Sequence, residues 1–192
     1  MPKVATTPRQ VLTFWFALER PSKKHDPSVR EVLGALYEQA ATHQLDAWLK
    51  RAHERLALIL LLDQVPRHLY RKDSRAFATD FKAQAAAHRF FERQDWRDFT
   101  PLEKYYAVMP YLHAEALDKQ QQVNPVIHAC AKAIPGLSFM GRLADLYLET
   151  IQRFGHFPHR NALRGRLSTP EEERFLEAEW SPRRRRLQPD GE

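Results

Sequence analysis

Prolines that directly follow helix-capping residues constrain the fold of this 192-residue chain most strongly. Four such pairs occur, at Thr7-Pro8, Asp26-Pro27, Thr100-Pro101 and Thr169-Pro170. Proline is tolerated at the first position of a helix because its missing N–H would be unpaired there, and Thr or Asp is a favoured N-cap. Each pair therefore predicts the start of a helix, with the Thr or Asp as its cap.

The remaining pattern predicts a helical chain without a sheet. Apolar residues recur at helical spacing, no segment alternates with period two, and the chain has only 6 glycines. We predict eight helices, over 8–19, 27–43, 53–64, 80–93, 101–113, 124–133, 138–154 and 170–179. Short connections favour antiparallel helix hairpins. The expected fold is all-α, as one domain over 1–180, followed by a basic tail at 181–192 that we expect to be disordered.

Charge and cysteine content bear on partners and compartment. Lys and Arg number 30 and Asp and Glu 24, which gives a formal net charge of +6. Four of the arginines form the run 183–186, which has no interleaved aromatic residue, so we do not expect a nucleic-acid partner. The longest apolar run, 56–62, is too short to cross a membrane. With one cysteine and no leader-like N-terminus, we expect a cytoplasmic protein.

A polar group interrupts the most apolar stretch of the chain. Asp63 and Gln64 follow a run of leucines, and Pro66 is expected to break the helix before Arg67. Either Asp63 and Arg67 face a cavity, or they form an ion pair at a helix end. Asp80 is expected to act as the N-cap of the 80–93 helix.

A second polar group contains His113 and Glu115. On a regular helix, residues two apart point about 200° away from each other. One metal ion could therefore bind both only if Pro110 disrupts the helix, or if one residue acts through a hydrogen bond. The alternative is a histidine in the core.

The third polar group follows Gly155, which suits the left-handed position after a helix. Pro158 is expected to open a short helix whose first turn carries His159, Arg160 and Asn161. The unpaired N–H groups and the dipole at such a turn favour an anion. The alternative is a structural corner in which Arg160 and Asn161 cap carbonyl oxygens.

Taken in order, these pieces resemble a bacterial domain-of-unknown-function family, family 924. The resemblance spans about residues 8–180. It rests on FWF at 14–16, LLDQVPR at 61–67, RAFATD at 75–80, MPYLHAE at 109–115, Gln120, RFGHFPHRN at 153–161 and TPEE at 169–172. It implies a tetratricopeptide-like helical fold and a shared polar pocket, but no established activity. The pocket residues that it implies are Asp63, Gln64, Arg67, Asp80, His113, Glu115, His159, Arg160 and Asn161.

The chain departs from the family pattern at three places. The family's usual HSED is His113-Ala114-Glu115-Ala116 here, and its usual histidine before RFG is Tyr147. His156 stands where an arginine is usual. If the family's activity depends on the missing groups, we expect it to be altered or lost. If it depends on His113, Glu115 and His159, we expect it to be retained.

Two functional hypotheses follow. In the first, an enzyme acts on a small anionic metabolite. The proposed catalytic residues are His113, His159, Asp63 and Glu115, with the substrate bound by Gln64, Arg67, Asp80, Arg160, Asn161 and Tyr147. A divalent metal held by His113, Glu115 and His159 is a variant of this hypothesis. In the second, a tetratricopeptide-like module clamps a peptide or ligand carboxylate without catalysis. A third alternative assigns the polar groups to helix-end networks that fix corners.

Overall fold

The structure is a computed structural model that describes residues 4–19 and 21–181. Over these residues the protein is all-α, with eight helices joined by turns and short 3-10 segments. The predicted class and the predicted number of helices are confirmed. The tetratricopeptide-like stacking stays a prediction. The arginine run at 183–186 lies outside the described residues.

The helices are labelled in chain order. They are α1 (Pro8–Ala17), α2 (Asp26–Ala41), α3 (Ala52–Ile59, continued by a π-helical turn at Leu60–Gln64 and by Val65–Leu69), α4 (Asp80–Arg93), α5 (Pro101–Leu112), α6 (Leu117–Ala133), α7 (Phe139–Phe154) and α8 (Pro170–Phe175, continued by a π-helical turn at Leu176–Trp180). The 3-10 segment Asp46–Lys50 connects α2 to α3, and Pro158–Arg160 and Ala162–Arg164 lie between α7 and α8.

Three helices begin as the Thr-Pro pairs predict. The hydroxyls of Thr7, Thr100 and Thr169 each accept the N–H of the third helical residue, whose side chain bonds back to the threonine N–H. These are complete capping boxes. The sequence thus specifies where α1, α5 and α8 begin.

The two aspartates predicted as N-caps do not cap. Asp26 is the first residue of α2, and its carboxylate instead lies 2.7 Å from His68 and accepts two bonds from Arg71. Asp80 is the first residue of α4, after Thr79 at the N-cap position. In both cases a basic side chain distant in the sequence outweighs the local cap, because a charge-assisted bond is the stronger one.

Helix α6 is longer than predicted. It begins at Leu117 rather than at 124, and Pro125 lies inside it. A proline in a helix interior removes one backbone hydrogen bond. Here α6 packs against both α5 and α7, and its Gln120, Val123 and Ile127 are fully buried. This packing stabilises the helix through the proline.

The chain divides into two compact units, Met1–Phe99 and Thr100–Glu192. In the first unit α3 is central: it packs against α1, α2 and α4, and residues 56–62 are at most 3% exposed. In the second unit α6 packs between its chain neighbours α5 and α7. That 1–180 forms one domain stays a prediction. No helix in the described part of the chain is long and apolar enough to span a membrane.

Candidate functional site

Helix α3 passes through Pro66 by changing its hydrogen-bond pattern. The predicted break is wrong: the N–H of Val65 donates to the oxygen of Leu60, five residues back, which makes a π-helical turn. Because Pro66 has no N–H, it cannot donate to the Leu62 carbonyl. The Thr79 hydroxyl donates to that oxygen instead, at 2.6 Å. Such π turns are often found at functional sites.

Arg67 joins two buried carboxylates in the first unit. Its Nη1 lies 3.2 Å from the Asp63 carboxylate and its Nη2 lies 2.9 Å from that of Asp80. Arg67 also donates to the backbone oxygen of Asp63, and the Gln64 amide donates to the Asp63 carboxylate. Asp63 is 0% exposed and Asp80 is 6% exposed. These four predicted pocket residues therefore form one cluster of formal charge −1, in which internal carboxylates neutralise Arg67.

This cluster fixes the start of α4 against α3. Asp80 is the first residue of α4, while Asp63 and Arg67 belong to α3. The bond from Thr79 to Leu62 makes a second connection between the same two helices. The bonds between the LLDQVPR and RAFATD motifs thus hold the start of α4 against α3.

A cleft of about 250 Å³ lies in the first unit beside this junction. Helices α2, α3 and α4 and the turn before α3 supply its lining. The buried apolar lining residues are Ala40, Leu58, Leu62 and Ala86. Phe81 also lines the cleft, although its side chain is 65% exposed. The cleft therefore has an apolar lining and an aromatic ring at its surface.

Four polar groups line the same cleft. Lys82 donates to the carbonyl of Ala41 at the end of α2, and His43 pairs with Asp46 at 3.1 Å. Arg89 is half-buried and forms no hydrogen bond or ion pair with any residue of 4–19 and 21–181. With neutral His43, the lining carries two cations and one carboxylate, a formal charge of +1.

No motif in the sequence indicates this cleft. Lys82, Ala85, Ala86 and Arg89 are spaced three, four and seven apart along α4, so they share one face of the helix. That spacing was visible, but alanines flanked by basic residues look like an ordinary solvent-exposed face. The end of α2, which covers the face, is too distant in sequence for any local pattern to place there.

His43 adds a backbone feature to the cleft. Its φ of 66° lies in the left-handed region, just after α2, where the Gln44 N–H reaches back to the Gln39 oxygen at 2.9 Å. Glycine is the usual residue at this position. A side chain retained in a strained conformation often marks a functional region. The strain here lies directly on the cleft lining.

In the second unit, Glu115 is bound by its own chain. Arg166 donates two bonds to its carboxylate, at 2.7 and 2.9 Å, and the Phe157 N–H donates a third at 3.0 Å. Burial raises the pKa of Glu115, but these bonds and the charges of Arg166 and Arg160 outweigh it and lower the pKa to about 2. Glu115 is therefore ionised near neutral pH and cannot donate a proton there.

The same network extends to the start of α8. Arg166 donates to the side-chain oxygen of Asn161 at 2.9 Å, and the Asn161 amide donates to Glu172 at 3.2 Å. His156 Nε2 lies 2.6 Å from the other carboxylate oxygen of Glu172. His156 thus still faces a carboxylate where the family usually has arginine. The sequence singled out Asn161 and the Thr169–Glu172 capping box, whereas no motif pointed to Arg166.

Side-chain donors also bond to the backbone carbonyl oxygens at the end of α5. This helix continues through Pro110 and ends at Leu112, so the disruption that would let His113 and Glu115 bind one metal ion does not occur. The Gln120 amide donates to the oxygens of Leu112 and Ala114, at 2.8 and 2.9 Å. Arg160 donates to the backbone oxygen of His113 at 3.0 Å. Arg160 therefore serves as a carbonyl cap, as the corner alternative expected.

Aromatic stacking surrounds His159. Its ring stacks on Trp180 with centroids 4.4 Å apart, and the Tyr147 ring stacks on Trp180 at 5.5 Å. Tyr147 also packs edge-on against Phe157. Tyr147, proposed as a substrate contact, is thus part of a buried aromatic cluster.

The structure does not assemble the proposed metal ligands. Within the part of the chain that it describes, no group of three or more His, Cys, Asp or Glu side chains is placed to hold a metal ion. The set His113, Glu115 and His159 fails because Arg166 and a backbone N–H take the Glu115 carboxylate, while the His159 ring stacks on Trp180.

Comparisons with known proteins agree with this fold. A solved structure of a protein of unknown function, ATU0120 from Agrobacterium tumefaciens, superposes with a TM-score of 0.79 at 29% sequence identity, over 88% of this chain and 96% of the other. No curated protein matches the chain. A family model matches residues 6–179. The chain therefore belongs to the family described as bacterial protein of unknown function, DUF924.

Proposed function

We propose that this protein binds a small anionic ligand in the cleft of the first unit, through Arg89. The observation that carries the proposal is Arg89, a half-buried residue of the cleft lining that has no partner among residues 4–19 and 21–181. A guanidinium without an internal partner keeps its N–H donors for a ligand. A carboxylate fits this role best, because its two oxygens match the guanidinium fork. The motif arginines differ from Arg89, since Arg67 and Arg160 already bond to their own chain.

In this proposal the first-unit motifs position the cleft rather than contact the ligand. Asp63, Arg67 and Asp80 hold α4 on α3, and Gln64 supports Asp63. Helix α4 carries Arg89, whereas α3 supplies Leu58 and Leu62 of the apolar lining. This gives the recurring motifs a function without requiring them to react.

The second-unit motifs have a framework role in the same proposal. Glu115, Asn161 and Arg160 bond to their own chain, and so fix the segment between α7 and α8 to the end of α5. The tetratricopeptide-like stacking that the family resemblance implies is consistent with a binding module. With Cys130 as its one cysteine, we place the protein in the reducing cytoplasm.

An enzyme acting on a small anionic metabolite is the second candidate function. The π-helical turn that carries the buried Asp63 favours it, since such turns often mark functional sites. In this second proposal, Asp63 would orient the reacting group within the first unit. The test is substrate loss from a metabolite mixture, followed by mass spectrometry. Catalysis is supported if the wild type consumes a metabolite and the Asp63→Asn variant does not. It is contradicted if the wild type consumes none.

Calorimetric titration with hexanoate and with inorganic phosphate, at constant ionic strength, tests the binding proposal. We expect Arg89→Gln to weaken hexanoate binding by about 10-fold or more, because a charged hydrogen-bond partner contributes about 1.5–3 kcal/mol. Arg93→Gln is the matched control, since Arg93 is exposed on the same helix outside the cleft. Equal binding by wild type and Arg89→Gln, or binding of neither anion, would overturn the proposal.

A further inference from the structure

We infer that the ligand of this cleft is an amphipathic carboxylate whose apolar part is an aliphatic chain of medium length. The inference rests on the proposed function, because it takes Arg89 as the anion partner. It adds the chemical class of the rest of the ligand, which the cleft lining specifies.

The lining of the cleft is mainly apolar away from its charged groups. Leu58 and Leu62 of α3 and Ala86 of α4 are each at most 3% exposed and face a common space. A polar metabolite such as a sugar acid would leave its hydroxyl groups without partners against this surface. A hydrocarbon chain requires no partners and gains from leaving water.

Phe81 indicates where such a chain would lie. Phe81 is 65% exposed although it lines the cleft, and it lies about two helical turns before Arg89 along α4. The Phe81 side chain and the apolar depression beside it present one apolar surface, to which a hydrocarbon chain can bind. A chain bound against Phe81 would remove both its own surface and that of the ring from water.

The volume of the cleft limits the length of the hydrocarbon chain that the ligand can have. A buried apolar cavity of about 150 Å³ holds a benzene molecule. The cleft measures about 250 Å³, so it has room for a longer molecule such as a six- to eight-carbon acid.

The charges of the cleft favour a ligand with one carboxylate over a ligand with two. Lys82 already donates to the Ala41 oxygen, which leaves Arg89 as the cation without a partner in the described residues. Asp46 also lines the cleft and would repel a second negative group. A single carboxylate on an apolar chain complements this arrangement.

The test is a titration series with propionate, hexanoate and octanoate, below the micellar concentration of octanoate. Octan-1-ol and octylammonium are the neutral and cationic controls of the same length. We expect octanoate to bind at least 30-fold more tightly than propionate, since each buried methylene contributes about 0.8 kcal/mol, which is roughly 4-fold. Phe81→Ser should weaken octanoate binding roughly 5-fold and leave propionate binding unchanged.

The possible results separate the two proposals. Arg89-dependent binding of propionate and octanoate with equal affinity would overturn this inference and leave the proposed function intact. Binding of octan-1-ol as tightly as octanoate, unaffected by Arg89→Gln, would overturn both proposals and show a plain apolar cleft. Preference for octylammonium would also overturn both. Because Phe81 is exposed, Phe81→Ser should fold, and an unchanged thermal transition verifies this before titration.

Discussion

The hydroxyl of Thr79 donates to the carbonyl oxygen of Leu62 at 2.6 Å, and this bond replaces the one that Pro66 cannot form within α3. A proline in a helix normally leaves an unsatisfied carbonyl or bends the helix. Here the missing donor comes from the residue that precedes α4. The proline therefore does not end α3 but fixes where the next helix begins.

Thr79→Val tests this relationship. Valine has nearly the shape of threonine without the hydroxyl, so the Leu62 oxygen loses the bond that Thr79 donates to it. We expect the free energy of unfolding to fall by about 1–3 kcal/mol. Urea denaturation measures the change. Thr42→Val is the control, because Thr42 is exposed and its loss should stay under about 0.5 kcal/mol. Equal losses in the two variants would contradict the role of Thr79.

Arg67→Met tests the ion cluster. It leaves the buried Asp63 and Asp80 without their shared cation, so we expect a loss of about 3–5 kcal/mol in the free energy of unfolding. Arg75→Met removes an exposed partner of Asp73 and should have little effect. Chemical denaturation compares the two. A loss for Arg67→Met no greater than for Arg75→Met would show that the cluster does not hold α4 in place.

The local features of the fold were predictable, whereas distant partners were not. Thr7, Thr100 and Thr169 carry their capping boxes within four residues, so the sequence alone places those helix starts. The bond of Asp80 to Arg67 and the bond of Thr79 to Leu62 span 13 and 17 residues. No periodicity or motif specifies such pairs, and both changed the expected structure.

Glu115→Gln tests the pH dependence of the second unit. The pKa of Glu115 is lowered from 4.5 to about 2. A carboxyl whose pKa is lowered by folding stabilises the protein fully above the unfolded value, and this stabilisation disappears as the pH falls from about 4.5 to 2. At pH 7 we expect the variant to lose about 3 kcal/mol.

Urea unfolding of wild type and Glu115→Gln at several pH values measures this dependence. The difference between the two proteins should shrink as the pH falls below 4.5. A difference that stays constant down to pH 2 would show that the charge of Glu115 does not contribute through Arg166.

Ala116→Asp tests how one departure from the family pattern affects the stability of the protein. Ala116 occupies the N-cap position of α6 and provides no side-chain cap, where the usual motif has an aspartate. Restoring the aspartate should raise the free energy of unfolding by about 0.5–2 kcal/mol. The thermal transition should rise accordingly. Ala114→Ser, also a family residue but outside the cap position, should not show this gain. No stabilisation by Ala116→Asp would mean that the departure concerns something other than helix capping.

The candidate site illustrates the limit of sequence reasoning more clearly than the fold does. Arg67 and Arg160 were predicted to bind the anion because they lie in motifs rich in polar residues. In the structure their partners are internal: a carboxylate neutralises Arg67, and Arg160 donates to a backbone carbonyl oxygen. Arg89 lies in an unremarkable alanine-rich helix. That it has no partner among the described residues depends on the folded surroundings, which no local sequence pattern specifies.

The measurement that tests the account most directly is the NMR signal of the Arg89 Nε–H group during a hexanoate titration. The signal can be assigned through its loss in Arg89→Gln. We predict that it shifts progressively and saturates, while the Nε–H signal of Arg93 stays in place. Hexanoate binding that leaves the Arg89 signal unchanged, or no binding at all, would contradict the proposal that the cleft holds an anion at Arg89.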